Sequence, residues 1–473
     1  MTYEYQKVCD YVCTLIHKRQ LREDMKLPSL RKMAEKFDLS IPTIHRAYCQ
    51  LEKQGIVRSK PRSGFYIAKP AEKLTYESSS SLLEMVYVNS RKPGVIPLTI
   101  DSPSCLLSFD RKLRAEELQL SNITFNSPLK QGILYGDSDL RAAVAHRYTS
   151  DLDNSWDPSD VFITDSYHSS LLAAAKVYSQ RRGSAIVESP CSWAIIKALE
   201  TLNLNILELP VIPGSGLNLT YLISLLSNTN IAFAILSSHI NSPTGTAIPV
   251  EQKYKVACLF TQAGIPIIEN DIYGDLYFGD EQPLYYRDII DPEQLIICSS
   301  FDKIIGPPAS FGMILCKNGN DILRKILLSH TNKISSPTRQ KAIGNLISNG
   351  QVMRNIYNLR NLLKAKMLKM HDLLQKYLPL GCSYHLPQGG AVFWVKLPEE
   401  VDSSVLLERL MKKGIVVAPG HLFSSTIRYA NYIRISYATD WTMDIEKSIN
   451  CLAEDIKVLI KKPSRSVIEY SPA

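Results

Sequence analysis

Apolar positions in the first seventy residues recur at helical spacing. Val8, Tyr11, Val12, Leu15 and Ile16 share one face, which predicts an amphipathic first helix. Ser29 stands where an N-cap is wanted, and Leu30, Met33, Ala34 and Phe37 line the face of a second helix. After the turn Asp38-Leu39, Ser40 caps a third helix that tolerates Pro42 in its first turn and runs to about Gln54. Gly55 then offers a left-handed stop. The buried stripe of this helix is Ile44, Ala47, Tyr48 and Leu51; its other face carries Thr43, His45, Arg46 and Gln50. Residues 56–67 read as a β-hairpin with Lys60, Arg62 and Gly64 at its tip. Between about 68 and 97 the pattern weakens into a serine-rich tether, with one apolar patch around 82–88 that suits a docking helix.

From about residue 96 onward, short apolar runs alternate with helical patterns. Candidate strands are 161–164, 185–188, 206–209, 231–236, 265–268 and 295–298, with helices such as 169–181 and 250–263 between them. That alternation predicts an α/β domain with a mostly parallel sheet covered on both faces, its ligands at the C-terminal strand ends. The boundaries read as 1–69 for the basic helix-and-hairpin unit, 70–96 for a linker and 97–473 for the large domain, with a C-terminal subdomain from about 335. No GxGxxG follows any strand, which removes support for a dinucleotide-binding function.

Charge sharpens the division. The chain carries a net +8, and residues 1–70 hold fourteen Lys/Arg against seven Asp/Glu, so nearly all the excess lies there. Such asymmetry points to a polyanion, of which nucleic acid is the commonest, though charge alone leaves a solvated basic surface open; the helical pattern narrows it to double-stranded DNA. In a helix-turn-helix the second helix enters the major groove. Thr43, His45 and Arg46 would then meet base edges while the hairpin tip meets phosphate. The ten cysteines form no CxxC pair, which argues against zinc or any other metal. No signal peptide or membrane-length apolar run stands out, so a cytoplasmic protein without a membrane partner is expected.

The segment LPSLRKMAEKFDLSIPTIHRAYCQLEKQGIVRSKPRSGFYI resembles the winged helix of the GntR family of bacterial regulators. The resemblance implies that Arg31, Ser40, Thr43, His45, Arg46 and the wing at Gly64 lie against DNA. The large domain, through VFITDSYHSSLLAAAKVYS, ESPCSWAIIKALETLNLNILELP and LPQGGAVFWVKLPEEVDS, resembles the fold-type I aminotransferases. It resembles most closely the MocR group, in which that domain follows a GntR winged helix. Pyridoxal phosphate chemistry needs a lysine, a carboxylate beside the pyridine nitrogen and donors for the phosphate. The resemblance implies Lys303 as the Schiff-base lysine, Asp271 at the ring nitrogen and Tyr273 at the ring 3-oxygen. It implies Ser300, Ser166, Tyr167 and His168 at the phosphate, Trp193 over the ring, and Arg434 for a substrate or effector carboxylate. Tyr135 would reach the phosphate of a partner subunit in a homodimer.

Three positions depart from the family pattern. Ser310 stands where an arginine grips the phosphate, which weakens the cofactor site. Ser242-Pro243 replaces Asn-Pro, with Asn241 displaced by one, and Asp302 precedes the lysine where a small residue is usual. The expected function is a transcription regulator that senses a small amino-acid-like or vitamin-B6-type effector. Two alternatives stay open: an active aminotransferase, and a regulator whose large domain is a dimerisation scaffold without cofactor.

Overall fold

The computed structural model describes residues 8, 11–12, 25–53, 57–60, 64–67, 79–124, 134–151, 154–317, 320–329, 336–426 and 428–460. The chain divides into two compact units, Met1–Leu82 and Leu83–Ala473. In the first, the Ser29 hydroxyl accepts the Lys32 N–H at 3.3 Å and so starts helix α1 (Leu30–Phe37). Asp38 ends that helix in the left-handed conformation, with φ 52°. Helix α2 (Ile41–Lys53) follows, and its stripe Ile44, Ala47, Tyr48 and Leu51 is buried with Val8, Val12, Met33 and Val57. Strands β1 (Val57–Lys60) and β2 (Gly64–Ile67) pair antiparallel, and Phe65 packs edge-on against Tyr48 at 5.2 Å. Gly64 has φ 109°, a region that disfavours a side chain. Leu15, Ile16, Gly55 and the wing residue Arg62 lie outside the described residues, as does the Lys60 side chain.

The segment expected as a tether is partly structured. Helix α3 (Ser79–Asn89) covers its apolar patch, and β3 (Ile96–Pro97) pairs with β14 (Ile415–Val416). Helices α4 (Asp110–Thr124) and α5 (Ser138–Tyr148) lead into an eight-stranded sheet. Along the chain the elements run β4 (Val161–Thr164), α6 (Tyr167–Tyr178), β5 (Ser184–Ser189), α7 (Trp193–Thr201), β6 (Ile206–Ile212), β7 (Gly216–Leu217), α8 (Leu219–Asn228), β8 (Ile231–Ser237), α9 (Val250–Gln262), β9 (Ile267–Asn270), β10 (Leu295–Ser300) and β11 (Gly312–Cys316). In space the order is β4-β11-β10-β9-β8-β5-β6-β7. The five strands from β10 to β6 are parallel, and β11 runs against both its neighbours. Alternate residues supply two cores: Ile163, Ile297 and Leu315 face one side, and Phe162, Ile296 and Ile314 the other. Burial on both faces is why these strands read as continuous apolar runs rather than alternating ones.

Helices α10 (Asn320–Ser329), α11 (Pro337–Ser348) and the 27-residue α12 (Gln351–Tyr377) complete this layer. Asn345 and Arg339 on α11 bond Glu116 and Glu117 on α4 at 2.8 and 2.6 Å, so α11 belongs with the large sheet. A second, four-stranded antiparallel sheet, β12-β13-β16-β15, follows α12. It comprises β12 (Ser383–Tyr384), β13 (Val392–Lys396), β15 (Ala418–Pro419) and β16 (Tyr432–Ser436), with α13 (Ser403–Met411) against it and α14 (Ile445–Ile460) packed on α12 and α13.

Candidate functional site

A cavity of about 580 Å³ opens at the C-terminal ends of the parallel strands. Its wall takes Ser166, Tyr167 and His168 from the start of α6, Trp193 from the start of α7, Tyr273 and Lys303 from the turns after β9 and β10, and Arg434 from β16. Ser242 and Ser310 also line it. Lys303 lies 5.6 Å from the Tyr273 ring and 3.9 Å from Asp302 Oδ2. The Tyr273 hydroxyl is buried and has no hydrogen-bond partner among the described residues.

Asp271, expected at the ring nitrogen, does not line this cavity. A strand sends successive side chains to opposite faces, and at the end of β9 it is Asn270 that enters the wall. Asp271 turns away, accepting the Tyr148 hydroxyl at 2.7 Å and the Ser238 hydroxyl, with Arg287 Nη1 at 3.3 Å. Its carboxylate packs so close to Gly274 that a Cβ there would lie 1.9 Å from Oδ1. Burial works against the Arg287 charge, but Asp271 and Glu269 hold its pKa above the usual guanidinium value. Asp271 therefore borders a second cavity, of about 880 Å³, with Tyr148, Asp275 and Arg287. Asn270 Oδ1 accepts the Tyr167 hydroxyl at 2.6 Å, which fixes the amide.

Three more expected residues stand off the wall. Ser300 donates to the Phe311 carbonyl at 2.8 Å and accepts the Asp302 N–H, so its hydroxyl holds the turn that carries the lysine. Asn241 donates to Glu188 at 2.7 Å and accepts from Thr244. Tyr135 packs edge-on against Phe162 at 5.4 Å, under the Arg324 guanidinium. Ser166 acts as the N-cap of α6, accepting the Ser169 N–H at 3.2 Å. Burial lowers the pKa of the neighbouring His168, with Asp165 opposing.

Trp193 stacks on Arg434, ring centroid to Cζ 4.5 Å. Sequence reasoning missed Asp101, which reaches both Arg434 and Lys303, as well as Asn270, Tyr87 of α3 and Arg91 in the turn after it, all in the same wall. The Asn-Asp doublet at 270–271 was the only hint of an alternative ring-nitrogen partner; Asp101 carried no signal.

In the first unit, Ser40 Oγ lies 2.8 Å from Thr43 Oγ1 and accepts the Thr43 N–H, capping α2. Arg31, Ser40, His45, Arg46 and Gly64 are exposed and Thr43 half-buried.

Residues 115–450 match the family described as aminotransferase class I and II. The chain belongs to that family. Residues 4–67 match the bacterial regulatory proteins of the gntR family, so a GntR helix-turn-helix precedes the aminotransferase domain, the order of the MocR type. The chain is 26% identical to the uncharacterised HTH-type transcriptional regulator YdcR of Escherichia coli, over 96% of this chain and 99% of that protein. It is 25% identical to YjiR of the same organism, over 96% and 98%. The fold of the aminotransferase domain is also that of Pyrococcus horikoshii kynurenine aminotransferase (TM-score 0.72, 21% identity, 83% of this chain, 98% of that one). LysN, the α-aminoadipate aminotransferase of Thermus thermophilus, has a TM-score of 0.71 at 20% identity, over 81% and 99%. Among the described residues no helix is long and apolar enough to cross a membrane.

Proposed function

We propose that this chain is a DNA-binding transcription regulator whose aminotransferase domain holds pyridoxal phosphate through Lys303 and senses a small effector. The observation that carries this reading is a cavity in the aminotransferase domain, which follows a helix-turn-helix in sequence, that keeps Lys303 and has the Asn270 amide in its wall; this reading puts that amide at the ring nitrogen. When bound, the cofactor supplies a carbonyl for amines and an electron-withdrawing ring.

The residues fit such a group in several respects. Lys303 offers its ε-amine, and the partnerless, buried Tyr273 hydroxyl offers a donor for the ring oxygen. The N-terminus of α6 offers backbone N–H groups for the phosphate, and Trp193 bounds the cavity. LysN, of the same fold, is complexed with a phosphopyridoxyl-leucine. Asn270 changes the electrostatics. With Oδ1 taken by Tyr167, its Nδ2 is the group left to donate, and a neutral donor favours an unprotonated ring nitrogen. A carboxylate would instead hold that nitrogen protonated. This side chain therefore supports recognition better than turnover.

On the DNA side, Thr43, His45 and Arg46 read base edges, while Arg31, Ser40, Lys60, Arg62 and Gly64 contact phosphate. The working form is a homodimer, with Tyr135 serving the partner subunit's phosphate site. A second reading, a large domain that is only a dimerisation scaffold, is favoured by Ser310 and by the engaged Ser300 hydroxyl.

The test is an absorption spectrum of the protein with pyridoxal phosphate beside Lys303→Ala, together with DNA affinity with and without the cofactor. A band near the visible edge that the variant lacks, with a change in DNA affinity, supports the regulator. A flat spectrum selects the scaffold. Robust transamination of common amino acids counts against sensing.

A further inference from the structure

Arg434 is 2% exposed, so its charge has almost no water around it and needs a partner inside the protein. The chain supplies that partner. Asp101 Oδ2 lies 3.2 Å from Arg434 Nη1 and 3.6 Å from Lys303 Nζ, and the Thr99 carbonyl accepts from Nη2 at 2.8 Å. The backbone carbonyl of Asp101 also accepts from Lys303 Nζ. Asp101 Oδ1 and Arg434 Nε are both buried without a hydrogen-bond partner among the described residues. A carboxylate thus bridges the guanidinium and the lysine, which is where an incoming acid would have to sit. Such an acid meets like charge there. It would have to displace Asp101 from both cations, whereas an amine without that carboxylate leaves the bridge intact; Asp302 adds a second carboxylate 3.9 Å from Lys303 Nζ.

We propose that Asp101 is a specificity-determining residue: a carboxylate carried by the chain that fills the acid-binding place at Arg434. The pocket therefore takes primary amines without a carboxylate on the amine-bearing carbon in preference to α-amino acids. This rests on the pocket being the effector site, and it replaces the expectation that Arg434 receives a carboxylate from the effector. Removing Asp101 would leave Arg434 charged, buried and short of a partner, so a free acid should then be drawn in to replace it.

The test uses the full-length protein and calorimetric titration with 2-phenylethylamine and L-phenylalanine, which differ only in that carboxylate. The wild type should bind the amine at least about tenfold more tightly, because like charges at close range exclude the acid. Asp101→Asn, which keeps the side-chain size, should close or reverse that ratio, and adding Arg434→Ala should remove the gain. The proposal is overturned if the wild type binds the amino acid as tightly as the amine. It is also overturned if neither ligand binds either protein, or if Asp101→Asn leaves the ratio unchanged; should that variant not fold, the wild-type ratio decides alone. Cofactor absorbance is read on the same samples. A missing band with the ratio intact counts against the cofactor and not against Asp101, whereas a normal band with the ratio lost does the reverse.

Discussion

Asn270 and Asp271 differ by little in shape, and a pleated strand sends them to opposite sides of a sheet. The sequence showed both, but choosing the one that enters the cavity wall required the register at the end of β9, which pattern reading fixes only to within a few residues. Chemistry favoured the carboxylate, and the pleat put the amide in the wall. Asn270→Asp should therefore raise residual transamination at least about tenfold by holding a ring nitrogen protonated. Asp271→Asn should leave the absorption band in place and cost about 1–3 kcal/mol in urea unfolding, since it removes the charge facing Arg287 and one of the two oxygens that accept from Tyr148 and Ser238. The reverse pattern of spectral effects would return the role to Asp271. Ser310 was legible from its offset to Lys303, and it is exposed in the wall, with room for a longer side chain. Ser310→Arg should tighten cofactor binding by about 10- to 100-fold, equivalent to one charged hydrogen bond, as read by spectroscopic titration.

At the scale of elements, the strands of the parallel sheet were readable because burial on both faces writes itself as Val/Ile/Leu runs. The tether was less so. Four serines hid the start of α3, and only tertiary packing explains why its Tyr87, and Arg91 in the turn that follows, border the cavity. Glu208 on β6 is a further link invisible in sequence. It accepts from the hydroxyls of Ser189, Ser424 and Ser425 at 2.5, 2.7 and 2.8 Å and from the Ser425 N–H, tying the large sheet to the loop before β16. Burial pushes its pKa up, but these donors together hold it below the usual glutamate value. A depressed folded-state pKa adds stability above the ordinary carboxylate range, and that stability disappears as pH falls through the folded value. Glu208→Gln should thus flatten the loss of thermal stability between about pH 6 and 3, whereas an unchanged slope would show the link to be energetically silent.

For the whole molecule, the order of domains was plain from charge and periodicity, because a basic three-helix pattern and a βα alternation obey different rules. What the chain does with both is a question of coupling. The basic first unit predicts DNA binding that weakens steeply with salt. Arg46→Ala should cost about 1–3 kcal/mol and relax sequence preference if it reads a base, or lower the salt slope by about one if it meets phosphate. Electrophoretic titration at two salt concentrations separates these outcomes.

Because Asp101 belongs to the same chain as Arg434, it cannot be diluted. Short tethers present a group at an effective concentration of millimolar or more, and a fixed, packed side chain far exceeds that. The cell's pool of free amino acids would have to outcompete a carboxylate that never leaves. A sensor built this way would ignore the rise and fall of general nitrogen supply, and would answer a scarcer compound against that abundant background.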